Sequence, residues 1–159
     1  MRPPKSRPLL IIDGDFSAHW AHHALPKTIL GKDRRPAGAL VGFANTLLRL
    51  YQAEQPRAVI VGWDTLNVPT FRHKAFPAYQ SERTFDGALL EQLDALPEFV
   101  SACGFANAKK PGYEADDFLA AAVRAEEREG RKVPCRQRRS RYVSACFRSY
   151  DHPLPNPRR

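Results

Sequence analysis

Leu9-Leu10-Ile11-Ile12-Asp13-Gly14 decides the fold. Four consecutive aliphatic residues are too apolar for a strand with one wet face, so the run predicts a strand buried on both faces, as in a parallel sheet. Ala58-Val59-Ile60-Val61-Gly62-Trp63-Asp64 repeats the pattern, again with an aspartate at its end. Ligands of open α/β sheets collect at the carboxyl ends of the strands. Asp13 and Asp64 are therefore expected at one edge of the sheet. Taken singly, each is equally a turn or helix-capping aspartate.

Between and after these runs the period changes to that of helices. Phe16 to Leu25 predicts a short helix, and Ala37 to Tyr51 an amphipathic one with Leu40, Phe43, Leu47 and Leu50 on one stripe. Leu66 to Phe85, with Pro69 and Pro77, reads as irregular. Gly87 to Cys103 predicts a helix with Leu89, Leu93, Leu96 and Val100 inward, and Phe105 to Lys109 a short strand. Alternating strands and helices predict an α/β fold, a mostly parallel central sheet with helices on both faces.

Gly112-Tyr113-Glu114-Ala115-Asp116-Asp117 carries the chemistry. Pro111-Gly112 reads as a loop, and Phe118, Leu119 and Val123 then set a helical period, with Glu126, Glu127 and Glu129 on the polar side. Three carboxylates stand in the first turn. Residues three apart share a face, so Glu114 and Asp117 point the same way with Asp116 beside them. Acids in a first turn complement the helix dipole. Crowded acids are also what a hard divalent cation requires, because Mg²⁺ takes oxygen ligands.

Composition divides the chain. The formal net charge is +8 and the pI about 9.8, which suggests a nucleic-acid binder. Yet residues 1–130 hold 16 Lys/Arg and 16 Asp/Glu, and residues 131–159 hold nine Lys/Arg and one Asp. The excess is all in the tail, with Cys135 and Cys146. Cys103 is the one cysteine of the body and is expected in the core. No signal peptide is visible and no apolar run approaches ~18 residues. A reduced, cytoplasmic setting without disulfides and a monomer are expected.

The motifs, in this order and at this spacing, resemble the 5′→3′ exonuclease domain of bacterial DNA polymerase I and its stand-alone relatives, in the flap endonuclease superfamily. The resemblance is carried by Leu10-Ile11-Ile12-Asp13-Gly14, Trp63-Asp64, Pro69-Thr70-Phe71-Arg72-His73, Tyr79, Arg83 and Gly112 to Asp117, and covers residues 8–133. It implies a PIN/resolvase-like sheet and a Mg²⁺- or Mn²⁺-dependent phosphodiesterase acting on 5′ ends and 5′ flaps of DNA. It implies catalytic carboxylates at Asp13, Asp64, Glu114, Asp116 and Asp117, all of them metal ligands, with Arg83 assisting. It also places Arg72, His73, Lys74, Tyr79 and Arg83 at the base of a helical arch over the site, against nucleic acid. The residues themselves point the same way: cations that neutralise phosphates alternate there with Phe71, Phe76, Tyr79 and Phe85, rings able to stack bases. The bland alternative is a loop with solvated cations and rings packed on the body. Two positions depart from the family. Gln80 stands where a lysine usually follows the tyrosine, and Trp20 where the first helix usually has arginine. Asp15 adds an acid beside Asp13, placed either to cap the helix or to reach metal-bound water.

After Gly130-Arg131-Lys132-Val133 the family continues into a strand and a Gly-Asp-x-Asp motif that completes the metal site. Here Pro134-Cys135-Arg136-Gln137-Arg138-Arg139-Ser140-Arg141 follows. Codons for Pro134 to Pro155, read from the second base with permitted third bases, spell Leu-Ala-Ala-Ser-Gly-Asp-Arg-Asp-Thr-Phe-Gln-Leu-Ala-Ser-Asp-His-Thr-Thr-Ile-Leu-Tyr-Pro. The chain is therefore expected to comprise an N-terminal tail (1–7), a domain (8–133) truncated on its C-terminal side, and a basic, disordered, frameshift-derived tail (134–159), with impaired catalysis. Two other functions fit parts of the sequence. One is a non-catalytic nucleic-acid-binding fragment acting through the basic tail. The other is a PIN-type ribonuclease, against which the Pro69-Thr70-Phe71-Arg72-His73 motif argues.

Overall fold

The computed structural model describes residues 7–32, 34–66, 68–76, 79 and 86–131. Three parallel strands form one sheet in the order β1 (Leu9–Asp13), β2 (Ala58–Gly62), β3 (Ala106–Ala108). β1 and β2 run in register from Leu9 opposite Ala58 to Asp13 opposite Gly62. β3 joins from Ala106 opposite Ile60 to Ala108 opposite Gly62. The carboxyl ends of β1 and β2 thus finish level, which brings the residues after them to one edge.

Successive side chains of a strand point to opposite faces, and the packing follows that alternation. Leu10, Ile12, Val59 and Val61 face the main core, with Phe43 and Leu47 of α2 (Gly38–Glu54) and Leu89, Leu93, Leu96 and Val100 of α4 (Gly87–Ala102). Ala18 of α1 (Gly14–Ala24) joins this core. Leu9 and Ile11 face Leu119 of α5 (Ala115–Arg128) on the opposite side. Both faces are covered, which is why β1 tolerates no polar residue before Asp13. The α/β architecture and both expected apolar stripes are as the sequence indicated.

Two glycines permit close approach near the sheet edge. A Cβ on Gly62 would lie 2.9 Å from Leu119 Cδ1 and 3.0 Å from the Ala115 carbonyl, so glycine lets α5 rest on the end of β2. A Cβ on Gly14 would fall 2.4 Å from the Trp63 ring.

Three expectations are corrected. Phe71–Ala75, in the segment read as irregular, forms a short helix, α3. The Thr70 N–H donates to His73 Nδ1 at 3.2 Å and the Thr70 carbonyl accepts from Lys74, so local capping suffices after Pro69. Cys103 is exposed rather than in the core, because it is the C-cap that follows the last residue of α4, past Val100 where the buried stripe ends. Glu126, placed on the polar side of α5, is buried. Its carboxylate accepts from Arg57, just before β2, and from Arg131, just after α5. The readings that concern Pro77, Gln80, Arg83, Phe85 and the tail at 134–159 fall outside the described residues.

Candidate active site

Asp13 ends β1 and caps α1: its Oδ1 accepts the Phe16 N–H at 2.8 Å. Capping by aspartate satisfies one of the helix's orphan donors and fixes the side chain at the sheet edge. Two residues on, Asp15 is buried. Its Oδ2 accepts the backbone N–H of Asp64 at 2.7 Å. Asp64 passes the connection along: its Oδ1 accepts the N–H of Ala115, the first residue of α5, at 2.8 Å. The start of α1, the turn after β2 and the start of α5 are therefore joined by two carboxylate-to-amide hydrogen bonds. Asp13, rather than Asp15, is the helix cap, and Asp15 is the brace.

Glu114 and Asp117 cap α5 reciprocally. The Glu114 N–H donates to Asp117 Oδ2 at 2.9 Å, and the Glu114 carboxylate accepts from the Asp117 N–H. Arg72, from α3, lies across the pair. Its guanidinium donates to Glu114 Oε2 at 2.8 Å and to both Asp117 oxygens at 2.7 and 3.1 Å. The two-pronged geometry matches a planar guanidinium to a carboxylate. Tyr79 adds its hydroxyl, which donates to Glu114 Oε2 at 3.1 Å. Burial works against ionisation of Asp117, yet the bonds from Arg72 and the Glu114 N–H outweigh it and hold its carboxyl below the ordinary range.

Asp13, Asp15, Asp64, Glu114 and Asp116 line one cleft of about 240 Å³ at the carboxyl ends of β1 and β2. Phe16, His19 and Tyr79 complete its walls. Burial drives the Asp15 carboxyl up to about 7, against the Asp64 N–H bond that favours its charged form; the neighbouring Asp64 and Asp13 charges add to the rise.

Four of the five expected carboxylates, Asp13, Asp64, Glu114 and Asp116, meet in this cleft. Asp117 does not line it and is turned to Arg72. Among the described residues, no group of three or more His, Cys, Asp or Glu side chains is placed to hold a metal ion. The carboxylates surround the cleft without converging on one point. Of the residues assigned to nucleic acid, Arg72 is committed to Glu114 and Asp117, and His73 caps α3 with its ring 5.3 Å from that of Tyr79. Lys74 is exposed, and Arg83 lies outside the described residues. Thr70, whose side chain is buried and donates to Glu114 Oε1 at 3.4 Å, entered the sequence reading only as part of the Pro69-Thr70-Phe71-Arg72-His73 motif, without a role at the site, and His19, on the cleft wall, did not enter it. The four-residue spacing of Asp15 and His19, one face of a helix, was the available signal for His19.

The family model of the 5′-3′ exonuclease, N-terminal resolvase-like domain, aligns with residues 8–135. The chain belongs to this family. It is 37% identical over 131 residues to the thermostable DNA polymerase I of Thermus thermophilus, covering 82% of this chain and 15% of that one. With DNA polymerase I of Deinococcus radiodurans it shares 37% over 132 residues, covering 82% and 14%. With the 5′-3′ exonuclease of Mycobacterium tuberculosis it shares 28% over 135 residues, covering 77% and 42%. The chain thus spans about one seventh of the polymerases and under half of the exonuclease. A structure of T5 5′-exonuclease superposes with a TM-score of 0.53 at 20% identity, over 76% of this chain and 45% of that one, a likeness of fold. Among the described residues, no helix is long and apolar enough to cross a membrane.

Proposed function

We propose that the chain is the N-terminal part of a divalent-metal-dependent phosphodiester hydrolase that acts on DNA at 5′ ends and 5′ flaps. The observation that carries this reading is the gathering of Asp13, Asp64, Glu114 and Asp116 from three separate elements into one cleft, in a 5′-3′ exonuclease-family chain. The donor set suits Mg²⁺ or Mn²⁺: it is all carboxylate oxygen, with no thiolate. The crowding of Asp13 and Asp64 against buried Asp15 is a repulsion that a cation relieves. The T5 5′-exonuclease structure has divalent zinc ions bound, and the relatives carry the names DNA polymerase I and 5′-3′ exonuclease.

In this reading Asp13, Asp64, Glu114 and Asp116 would supply oxygen ligands from the cleft walls they line, and a cation held there would lower the pKa of a water and stabilise the leaving oxygen. The remaining residues position. Asp15 fixes the Asp64 backbone, and Asp64 fixes the start of α5 in turn. Asp117 belongs to this group, since with Arg72 it sets the orientation of Glu114. A second cation about 4 Å away requires further carboxylates, and residues 134–159 contain one acid, Asp151. On this reading the 159 residues by themselves turn over slowly.

Calorimetric titration of Mn²⁺ into the wild-type chain and the Asp13→Asn and Asp64→Asn variants tests the cation site. Weaker binding in both variants supports it, and equal affinity in all three overturns it. Cleavage of a labelled 5′-flap duplex with Mg²⁺ tests the reaction, comparing this chain with one in which the alternative frame after residue 133 is restored. Substantial cleavage only in the restored chain is expected. Full activity in the 159-residue chain overturns the assigned deficit.

A further inference from the structure

Beside the cleft two aromatic rings lie at the surface, brought together from elements distant in sequence. Phe71, the first residue of α3, is 50% exposed, and Tyr113, in the loop before α5, is 41% exposed. Their ring centroids are 6.3 Å apart with the planes inclined at 60°. The Phe71 N–H donates to the Gly112 carbonyl at 3.2 Å, which joins the two loops. Tyr113 is backed by Phe118, 6.1 Å between centroids. The platform is therefore held from behind while both rings keep solvent-facing surface.

The rings are set among cations. The Arg72 guanidinium is 4.7 Å from the Phe71 ring centre, and Lys110 Nζ is 5.4 Å from that of Tyr113. Lys74 and Lys109 are exposed nearby in sequence. Single exposed hydrophobic side chains are ordinary surface, whereas these two rings are in contact and form one local apolar patch. A cation-bordered pair fits a partner that presents flat π faces together with negative charge. An unpaired nucleotide strand has both. The patch adjoins the cleft through the chain itself, since Arg72 follows Phe71, Glu114 follows Tyr113, and the two are hydrogen-bonded. A strand delivering a phosphodiester to an acid-lined cleft needs such a positive border.

We propose that Phe71 and Tyr113 form a stacking platform for an unpaired base of single-stranded DNA, with Lys109 and Lys110 taking the adjoining phosphates. The proposal rests on the DNA-hydrolase reading and extends it to a place where the strand is held outside the cleft.

The test is binding of fluorescent oligothymidylate, and of an abasic strand of equal length, to the full 159-residue chain in EDTA. The basic residues of 131–159 act on both strands through phosphate charge, so the ratio of the two affinities isolates stacking. The wild-type chain is expected to prefer oligothymidylate roughly tenfold, the scale of one stacked base. The Phe71→Ala/Tyr113→Ala double variant loses that preference and keeps its affinity for the abasic strand. Tyr113→Phe retains it. Lys110→Gln reduces the salt dependence of both strands by about one phosphate contact. A wild-type chain that does not distinguish the strands overturns the proposal without recourse to any variant. So does a double variant, shown folded by its thermal melt, that keeps the wild-type ratio, as a surface used by a protein partner would. Binding in EDTA is independent of cleavage, so a chain that stacks bases while its frame-restored counterpart hydrolyses no flap with Mg²⁺ counts against the hydrolase reading alone.

Discussion

Asp15 and Asp64, separated by 49 positions, are joined by a 2.7 Å bond from the Asp64 backbone N–H to Asp15 Oδ2. The bond runs from a buried carboxyl on α1 to the turn that follows β2. It makes the position of one cleft carboxylate depend on another residue that is itself largely hidden from solvent.

Asp15→Ala should therefore destabilise the fold by about 1–3 kcal/mol, the cost of leaving a part-buried amide without its acceptor. Asp15→Asn keeps an acceptor oxygen and should lose less. Urea denaturation of the three chains measures this. Equal losses for Ala and Asn would mean that the hydrogen bond is not what Asp15 contributes.

Arg72 donates to Glu114 and to both oxygens of Asp117, a fork that lysine does not reproduce. Arg72→Lys is expected to recover less than half of the stability lost in Arg72→Ala, a loss of about 1–3 kcal/mol. Amide exchange at Glu114 and Asp117 should quicken in both variants. Full rescue by lysine would reduce the clamp to simple charge neutralisation.

Glu126 joins Arg131 and Arg57. The Arg131 hydrogen bond, opposed by burial and aided by Arg57, holds its carboxyl below the ordinary glutamate range. A depressed carboxylate stabilises the fold above its unfolded pKa, near 4.5, and that contribution is lost as pH falls through the folded value. Glu126→Gln should cost about 1–3 kcal/mol at pH 7, with the gap to wild type closing below pH ~4.5. A gap that stays constant across the acid range would remove the ion pairs from the account.

At Gly14 two effects oppose each other. Alanine is the better helix former by about 1 kcal/mol, but its Cβ would meet the Trp63 ring at 2.4 Å. Overpacking costs about 1–3 kcal/mol, so Gly14→Ala should lower the melting temperature. An increase would show that the ring moves aside freely.

The legible parts of this fold are those set by local pattern. An aliphatic run that ends in aspartate identifies a buried strand and its ligand end, and Asp13 and Asp64 do stand on one cleft. The unread parts are side-chain partnerships across long separations. Glu126 looks like a solvated acid on α5 until Arg57 and Arg131 arrive from either side. Asp117 looks equivalent to Asp116, since both sit in the same helical turn. Only the placement of Arg72 from α3 separates them, sending one to an ion pair and leaving the other on the cleft wall. Cys103 was misplaced by its residue type, because a usually buried side chain happens to fall on the residue that ends a helix.

The two carboxylate-to-amide hydrogen bonds that connect α1, the turn after β2 and α5 also govern when the cleft comes into being. The first links positions 49 apart and the second, Ala115 to Asp64, positions 51 apart. No hairpin or helix pair contains the site in miniature, and each closure loses chain entropy before any contact rewards it. Deuterium uptake at the Asp64 and Ala115 amides therefore reports the docking of α1 and α5 onto β2. It follows the assembly of the cleft residue by residue, in a chain whose turnover need never be measured.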